Sequence, residues 1–293
     1  MWNTLKVGLL LTALTALFVL AGQWLGGPSG ALIALVLALV MNAGSYWFSD
    51  KMVLKATRAQ PLTEAQAPEM HRMVERLSER AGIPKPRLYL VPDPQPNAFA
   101  TGRNPENGVV AVNEGLVRML TPEELEGVIA HEIGHIKHRD TLTMAVAASI
   151  SGAIMVLVNI AQFALIFGGR DGDGPNPLAL LAGMLIAPIA ASVIQMAISR
   201  AREFEADTTA ADLTGSSRGL IGALQKLERG AAAIPATSAS TSNAHMRIVN
   251  PLSGKRQAFA KLFMTHPPVQ ERVEALHAWE AEHGGRRSAS TLR

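Results

Sequence analysis

The chain of 293 residues is 48% hydrophobic, 17% charged and 5% aromatic with a positive mean hydropathy, too apolar and too sparsely charged for an ordinary soluble domain. The formal net charge of +3 is a mild basic bias, and without a basic tract or a cluster of base-stacking aromatics it argues against nucleic acid as a partner. Cysteine is absent, which excludes disulfides and thiolate ligands together, so any metal site must use His, Asp and Glu and can operate in a reducing cytosol.

Leu5 to Leu25 is an apolar stretch long enough to cross a hydrocarbon core of about 30 Å, with Trp2 and Trp24 at its ends. A signal peptide would look similar, but a second apolar stretch, Ala31 to Phe48, follows the turn-like Gly26-Gly27-Pro28-Ser29-Gly30 almost at once. The two are expected to form a membrane hairpin. Lys6 precedes it and Lys51, Lys55 and Arg58 follow it, whereas its turn is uncharged, which puts both ends in the cytoplasm.

Pro61 to Pro122 reads as a soluble α+β segment. Met70, Met73, Val74, Leu77 and Ala81 recur at helical spacing before Gly82, which suits a helix C-cap. Arg87 to Val91 and Val109 to Val112 read as short strands, separated by the Pro-rich turn Pro92 to Pro96 and by Asn97-Ala-Phe-Ala-Thr-Gly102. This unit is either an edge strand to which a peptide could add by backbone pairing or a plain hairpin supporting the next helix.

That helix starts at Thr121-Pro122-Glu123-Glu124, with an N-cap, Pro at the first helical position and a capping-box Glu. Leu125, Val128, Ile129 and Ile133 give it an apolar face, and His131, Glu132 and His135 form H-E-x-x-H within it. One helical turn separates the histidines, so both imidazoles project from one face as half of a tetrahedral zinc site. Glu132, at the edge of that face, can take a proton from a water activated by the metal, which is the wiring of a zinc peptidase.

Met144 to Phe167 and Leu178 to Ile198, the latter with Pro188 near its middle, are two further apolar runs, read as a second hairpin that spans fully or is partly re-entrant. Charged, helix-compatible residues follow from Ser199 to Asp212. Glu203 and Asp207 are four apart and share a face, whereas Glu205 points elsewhere, so Glu203 is the better third ligand; the competing reading is a surface helix end pairing Arg200 and Arg202. Ala231 to Ala244 reads as a mobile loop and Val269 to Glu282 as a helix. His71, His245, His277 and His283 read as surface residues, and His138, one turn beyond His135, as a surface residue or a support for the ligands.

The order of apolar hairpin, N-A-F-A-T-G at Asn97 to Gly102, H-E-x-x-H, second apolar hairpin, R-E-F-x-A-D at Arg202 to Asp207 and T-H-P-P at Thr265 to Pro268 resembles the HtpX family of bacterial membrane zinc proteases, relatives of the CAAX prenyl proteases. The metzincin pattern fails, since it needs Gly where His138 stands and His where Thr141 stands. The resemblance covers nearly the whole chain. It implies one zinc ion held by His131, His135 and Glu203, Glu132 as general base, and Asp207 as the acceptor that fixes a ligand imidazole. His266 is similar to a family histidine facing the scissile carbonyl, and Asn97 and Arg272 match positions near the substrate cleft.

These readings predict a mainly α integral membrane protein. Four apolar helices in two hairpins (1–50 and 142–198) accompany a cytoplasmic, zincin-like α+β catalytic domain with a short edge-strand sheet, divided between 51–141 and 199–283 and followed by a basic tail, 284–293. The family implies a multi-pass endopeptidase of the bacterial inner membrane, with its N-terminus in the cytoplasm, that cleaves unfolded or damaged membrane proteins at the cytoplasmic side of the bilayer during envelope stress. A narrow processing protease of the CAAX kind and a non-catalytic metal-binding membrane scaffold remain the alternatives, and nothing in the sequence sets the oligomeric state.

Overall fold

The structure, a computed structural model, describes residues 2–141, 200–233 and 267–288. The chain divides into two compact units, Met1–Trp47 with Thr143–Ile198, and Phe48–Leu142 with Ser199–Arg293. The second apolar hairpin expected over 144–198, His266, most of the 231–244 loop and the end of the basic tail lie outside the described residues.

Helix α1 (Trp2–Ala56) begins in the first unit, continues into the second from Phe48, and is interrupted at Gly26 and Gly27, whose backbone angles are not helical. Gly27 has a φ of 58°, which glycine adopts without a Cβ clash, and Pro28 restarts the helix where its missing N–H costs nothing. The arms fold back on each other: Asn42 Nδ2 donates to Thr15 Oγ1 at 3.0 Å across the break. The turn predicted over five residues is therefore a two-residue break. Among the described residues, Gly26–Phe48 alone is long and apolar enough to cross a membrane.

The second unit is built on a four-stranded sheet of order β1-β2-β4-β3, with β1 at Gln60–Pro61, β2 at Arg87–Val91, β3 at Ala98–Thr101 and β4 at Val109–Asn113. β2 and β4 pair in parallel, Arg87 opposite Val109 and Val91 opposite Asn113, so the two expected strands are not a hairpin. A parallel pair needs a crossover, and this one carries β3, antiparallel to β4 on the outer side. All five residues of β4 are buried, as expected of a V-V-A-V run covered on both faces. Leu88, Ala98, Val110 and Val112 face the main core, while Val91, Phe99 and Ala111 pack with Val53 from the end of α1.

Helix α2 (Pro68–Ala81) lays Met70, Val74, Leu77 and Ala81 on that core and ends at Gly82, which has the left-handed φ of 70° expected of its C-cap. His71, expected at the surface, is half-buried, and its Nε2 lies 2.8 Å from the Leu62 carbonyl beside β1. The short α3 (Glu114–Met119) leads to α4 (Pro122–Lys137), which begins with the expected capping box: Thr121 N–H donates to Glu124 Oε2 at 2.8 Å and Glu124 N–H to Thr121 Oγ1 at 3.4 Å. Val128, Ile129, Ile133 and Ile136 on α4 are buried, each contributing about 1.5–3 kcal/mol relative to exposure.

Helix α5 (200–214) supplies Ala210, Ala211 and Leu213 to the same core. Helix α6 (Arg218–Ala233) packs along α4, and a Cβ on Gly127 would come within 2.5 Å of the Leu220 backbone nitrogen, so this crossing requires glycine. Helix α7 (Val269–Ser288) adds Leu276 and Trp279, the indole donating to Asp212 Oδ1 at 3.1 Å.

Candidate metal centre

Helix α4 ends at Lys137 with His131, Glu132 and His135 on buried turns, and α5 crosses it at Gly134. This crossing brings Glu203 over the motif. One donor atom from each of His131, His135 and Glu203 lies within 4.8 Å of the others, and all three residues are buried. His131 Nε2 and His135 Nε2 are 3.2 Å apart, with Glu203 Oε2 3.6 Å from the first and Glu203 Oε1 3.6 Å from the second. Atoms bound at about 2.0–2.1 Å to one tetrahedral zinc ion are separated by about 3.3–3.4 Å.

The opposite ring nitrogens determine what the facing pair can do. His131 Nδ1 is 2.9 Å from Asp207 Oδ1, and His135 Nδ1 is 3.2 Å from Asp140 Oδ2. A carboxylate only accepts, so each Nδ1 carries a hydrogen and each Nε2 is the ring nitrogen left to face the other. Two such nitrogens that close, in a buried site, call for a cation between them, a metal ion or, without one, a proton on His135.

The charges agree. Glu132, Asp140, Glu203 and Asp207 are buried carboxylates, and Arg202 and Arg272 are buried guanidiniums, so with these ionised and both imidazoles uncharged, as metal ligands are, they leave the two negative charges that Zn2+ would balance. At His135, burial opposes a positive charge, but the Asp140 hydrogen bond and the charges of Glu203, Glu132 and Asp140 outweigh it and push the pKa up to about 9. Burial likewise opposes ionisation of Asp207, and Arg272 overcomes it and holds the carboxyl below its ordinary 3.8. The donor set, spacing and charge fit a divalent metal.

Arg272, matched to the substrate cleft by resemblance, is instead placed beneath the ligands and fully buried. Its Nε and Nη2 grip the Asp207 carboxylate at 2.8 and 2.6 Å and its Nη1 lies 3.3 Å from Glu203 Oε2. Because it buries a charge against two carboxylates, a guanidinium here shapes the ligand set rather than a surface groove. Asn97 is half-buried at the start of β3, its carbonyl accepting from Asn113 N–H at 2.8 Å. His138 caps α4 and turns to α5, with Nδ1 3.1 Å from Glu205 Oε1 and Nε2 2.9 Å from Thr209 Oγ1. Asp140 and Arg202 were missed as site residues. An acid just past the helix end was the available signal for Asp140, and its neighbour Glu203 was the signal for Arg202.

An H-E-x-x-H helix with a carboxylate from a crossing helix, beside a mixed sheet, defines the metallopeptidase class. The pattern of Peptidase family M48 matches residues 64–280, and the chain belongs to this family of membrane metalloproteases. It is 50% identical over 283 residues to a Protease HtpX homolog of Syntrophobacter fumaroxidans, covering 95% of this chain and 100% of that protein. A Protease HtpX homolog of Pyrococcus furiosus is 51% identical over 281 residues, 95% of this chain and 96% of its own length. The fold is similar to the crystal structure of S. mikatae Ste24p, with a TM-score of 0.55 at 21% identity, covering 90% of this chain and 62% of the Ste24p chain.

Proposed function

We propose that this protein is a zinc-dependent endopeptidase, with four apolar segments in the bilayer and its site at the cytoplasmic face, that cleaves unfolded or damaged membrane proteins. The observation that carries the zinc reading is the pair of Nε2 atoms 3.2 Å apart whose Nδ1 partners are both carboxylates. His131, His135 and Glu203 hold the ion, which when bound polarises a peptide carbonyl and acidifies water. Glu132, buried beside His131, accepts the proton of the attacking water and returns it to the leaving amine. β3 lies at the margin of the sheet and packs on α4, where an extended substrate can pair with its outer edge. Asn97 opens that strand, and His266 is assigned to the developing oxyanion, where loss of a donor typically costs about 10²–10³ in rate.

The test uses the full chain in detergent, stripped of metal and reloaded with zinc, acting on unfolded casein. Cleavage that needs both zinc and Glu132, with Glu132→Gln still holding the metal, supports the assignment. Zinc binding with no cleavage of casein or of membrane proteins would favour a metal-binding scaffold, and a single cut site in membrane substrates would favour a processing protease.

A further inference from the structure

Each candidate histidine ligand is backed by an Asp, and each Asp by an Arg. Behind His131 stand Asp207 and Arg272; behind His135 stand Asp140 and Arg202. The second couple is the less obvious one. Asp140 is fully buried, its Oδ2 3.2 Å from His135 Nδ1 and its Oδ1 3.3 Å from Arg202 Nε. Arg202 is also buried, and its Nη1 has no hydrogen-bond partner among the described residues. Burying a guanidinium with an unsatisfied nitrogen costs stability, so packing does not explain the residue. Its contact with Asp140 does, because it holds one carboxylate oxygen and leaves the other aimed at the ring.

The backbone is bent to make this contact. α4 ends at Lys137, and Arg139, an exposed non-glycine residue, takes a φ of 60° that returns Asp140 beneath His135. Resting on the reading of His131, His135 and Glu203 as metal ligands, we infer that Asp140, oriented by Arg202, is a positioning residue that fixes the ring of His135 with Nε2 toward the metal. His135 Nδ1–H donates to one oxygen of Asp140 and the Arg202 guanidinium pairs as an ion with the other, so each of these two contacts requires an oxygen. An amide cannot supply both: in Asp140→Asn, either the His135 Nδ1–H or the Arg202 guanidinium meets an NH2 group. Arg202→Gln removes that conflict, since the side-chain oxygen of Gln, bonded to Cδ as Nε is in Arg, falls where Nε stood and accepts from the Asn.

Zinc and cobalt affinities of the full-length detergent-solubilised protein, measured by competition with a chromophoric chelator, test the inference without reference to catalysis. Asp140→Ala and Asp140→Asn are expected to weaken binding about 10- to 100-fold and to alter the visible spectrum of the bound cobalt. Asp140→Asn with Arg202→Gln is expected to recover most of the loss of Asp140→Asn alone. Native affinity in Asp140→Asn, or no recovery in the double variant, overturns the inference. Asp140→Asn is nearly isosteric, and its recovery is read against its own loss, so a failure of Asp140→Ala to fold leaves the test standing. A native chain that binds neither metal overturns the ligand assignment itself, a separate outcome.

Discussion

Gly134, between the two motif histidines in sequence and beside their face of the helix, touches the backbone of Ala206: a Cβ added there would lie 3.3 Å from the Ala206 Cα and 3.3 Å from its carbonyl oxygen. Ala206 sits between Glu203 and Asp207 on α5, so this contact sets how far the third ligand stands from the imidazoles. Gly134→Ala forces α5 outward by a few tenths of an ångström. Although alanine favours helix by about 1 kcal/mol, the variant is expected to lose about tenfold in peptide cleavage and to bind zinc more weakly. Native affinity and turnover would show that the crossing has slack.

Metal uptake by the apo protein is expected to release a proton. With the pKa of His135 raised from 6.5 to about 9, the metal-free ring is charged at neutral pH and zinc must displace that proton. Apparent zinc affinity is expected to rise with pH, by up to about tenfold per unit, and to level off near pH 9. A flat profile between pH 6.5 and 9 contradicts the charge environment described for this site.

Glu124 links the start of the motif helix to α6. Burial tends to raise its pKa, but Lys226 Nζ at 2.7 Å and the Thr121 contacts outweigh that and hold it below 4.5. A depressed folded value means the stabilisation is complete above the unfolded pKa and is lost as pH falls through the lower, folded one. Glu124→Gln is therefore expected to melt below the native protein at pH 7, and the difference in Tm is expected to shrink below pH 4.5. A constant difference would assign the effect to the capping geometry alone.

Arg139→Gly is expected to stay within about 1 kcal/mol of native stability and to bind metal normally, because the left-handed backbone suits glycine and the side chain is exposed. Arg139→Val is expected to destabilise by about 1–2 kcal/mol and to weaken zinc binding as Asp140 swings away. Chelator competition with thermal unfolding on both variants separates these outcomes.

The parts of the structure visible in the sequence obey a local period. The Thr121 capping box, the one-turn spacing of His131 and His135, and the shared face of Glu203 and Asp207 follow from 3.6 residues per turn. Asp140 does not, since it reaches His135 only through the positive φ of Arg139, which no periodicity records. The resemblance alone matches Arg272 to the substrate cleft, and one chain's sequence carries no sign that distant helices bury it. The parallel β2–β4 pairing was hidden for the same reason: two short apolar runs with a turn between them fit a hairpin equally well, and only the placement of β3 outside β4 decides.

Arg272 reaches the metal centre from 65 residues beyond Asp207 and 141 beyond His131. Synthesis runs from the N-terminus, so the three candidate ligands leave the ribosome well before the guanidinium that neutralises the carboxylates around them. Until α7 docks, Glu203 and Asp207 lack the guanidinium that pairs with both of them, and the ligand geometry cannot settle. A chain stopped before Val269 is expected to keep all three ligands and yet bind zinc poorly.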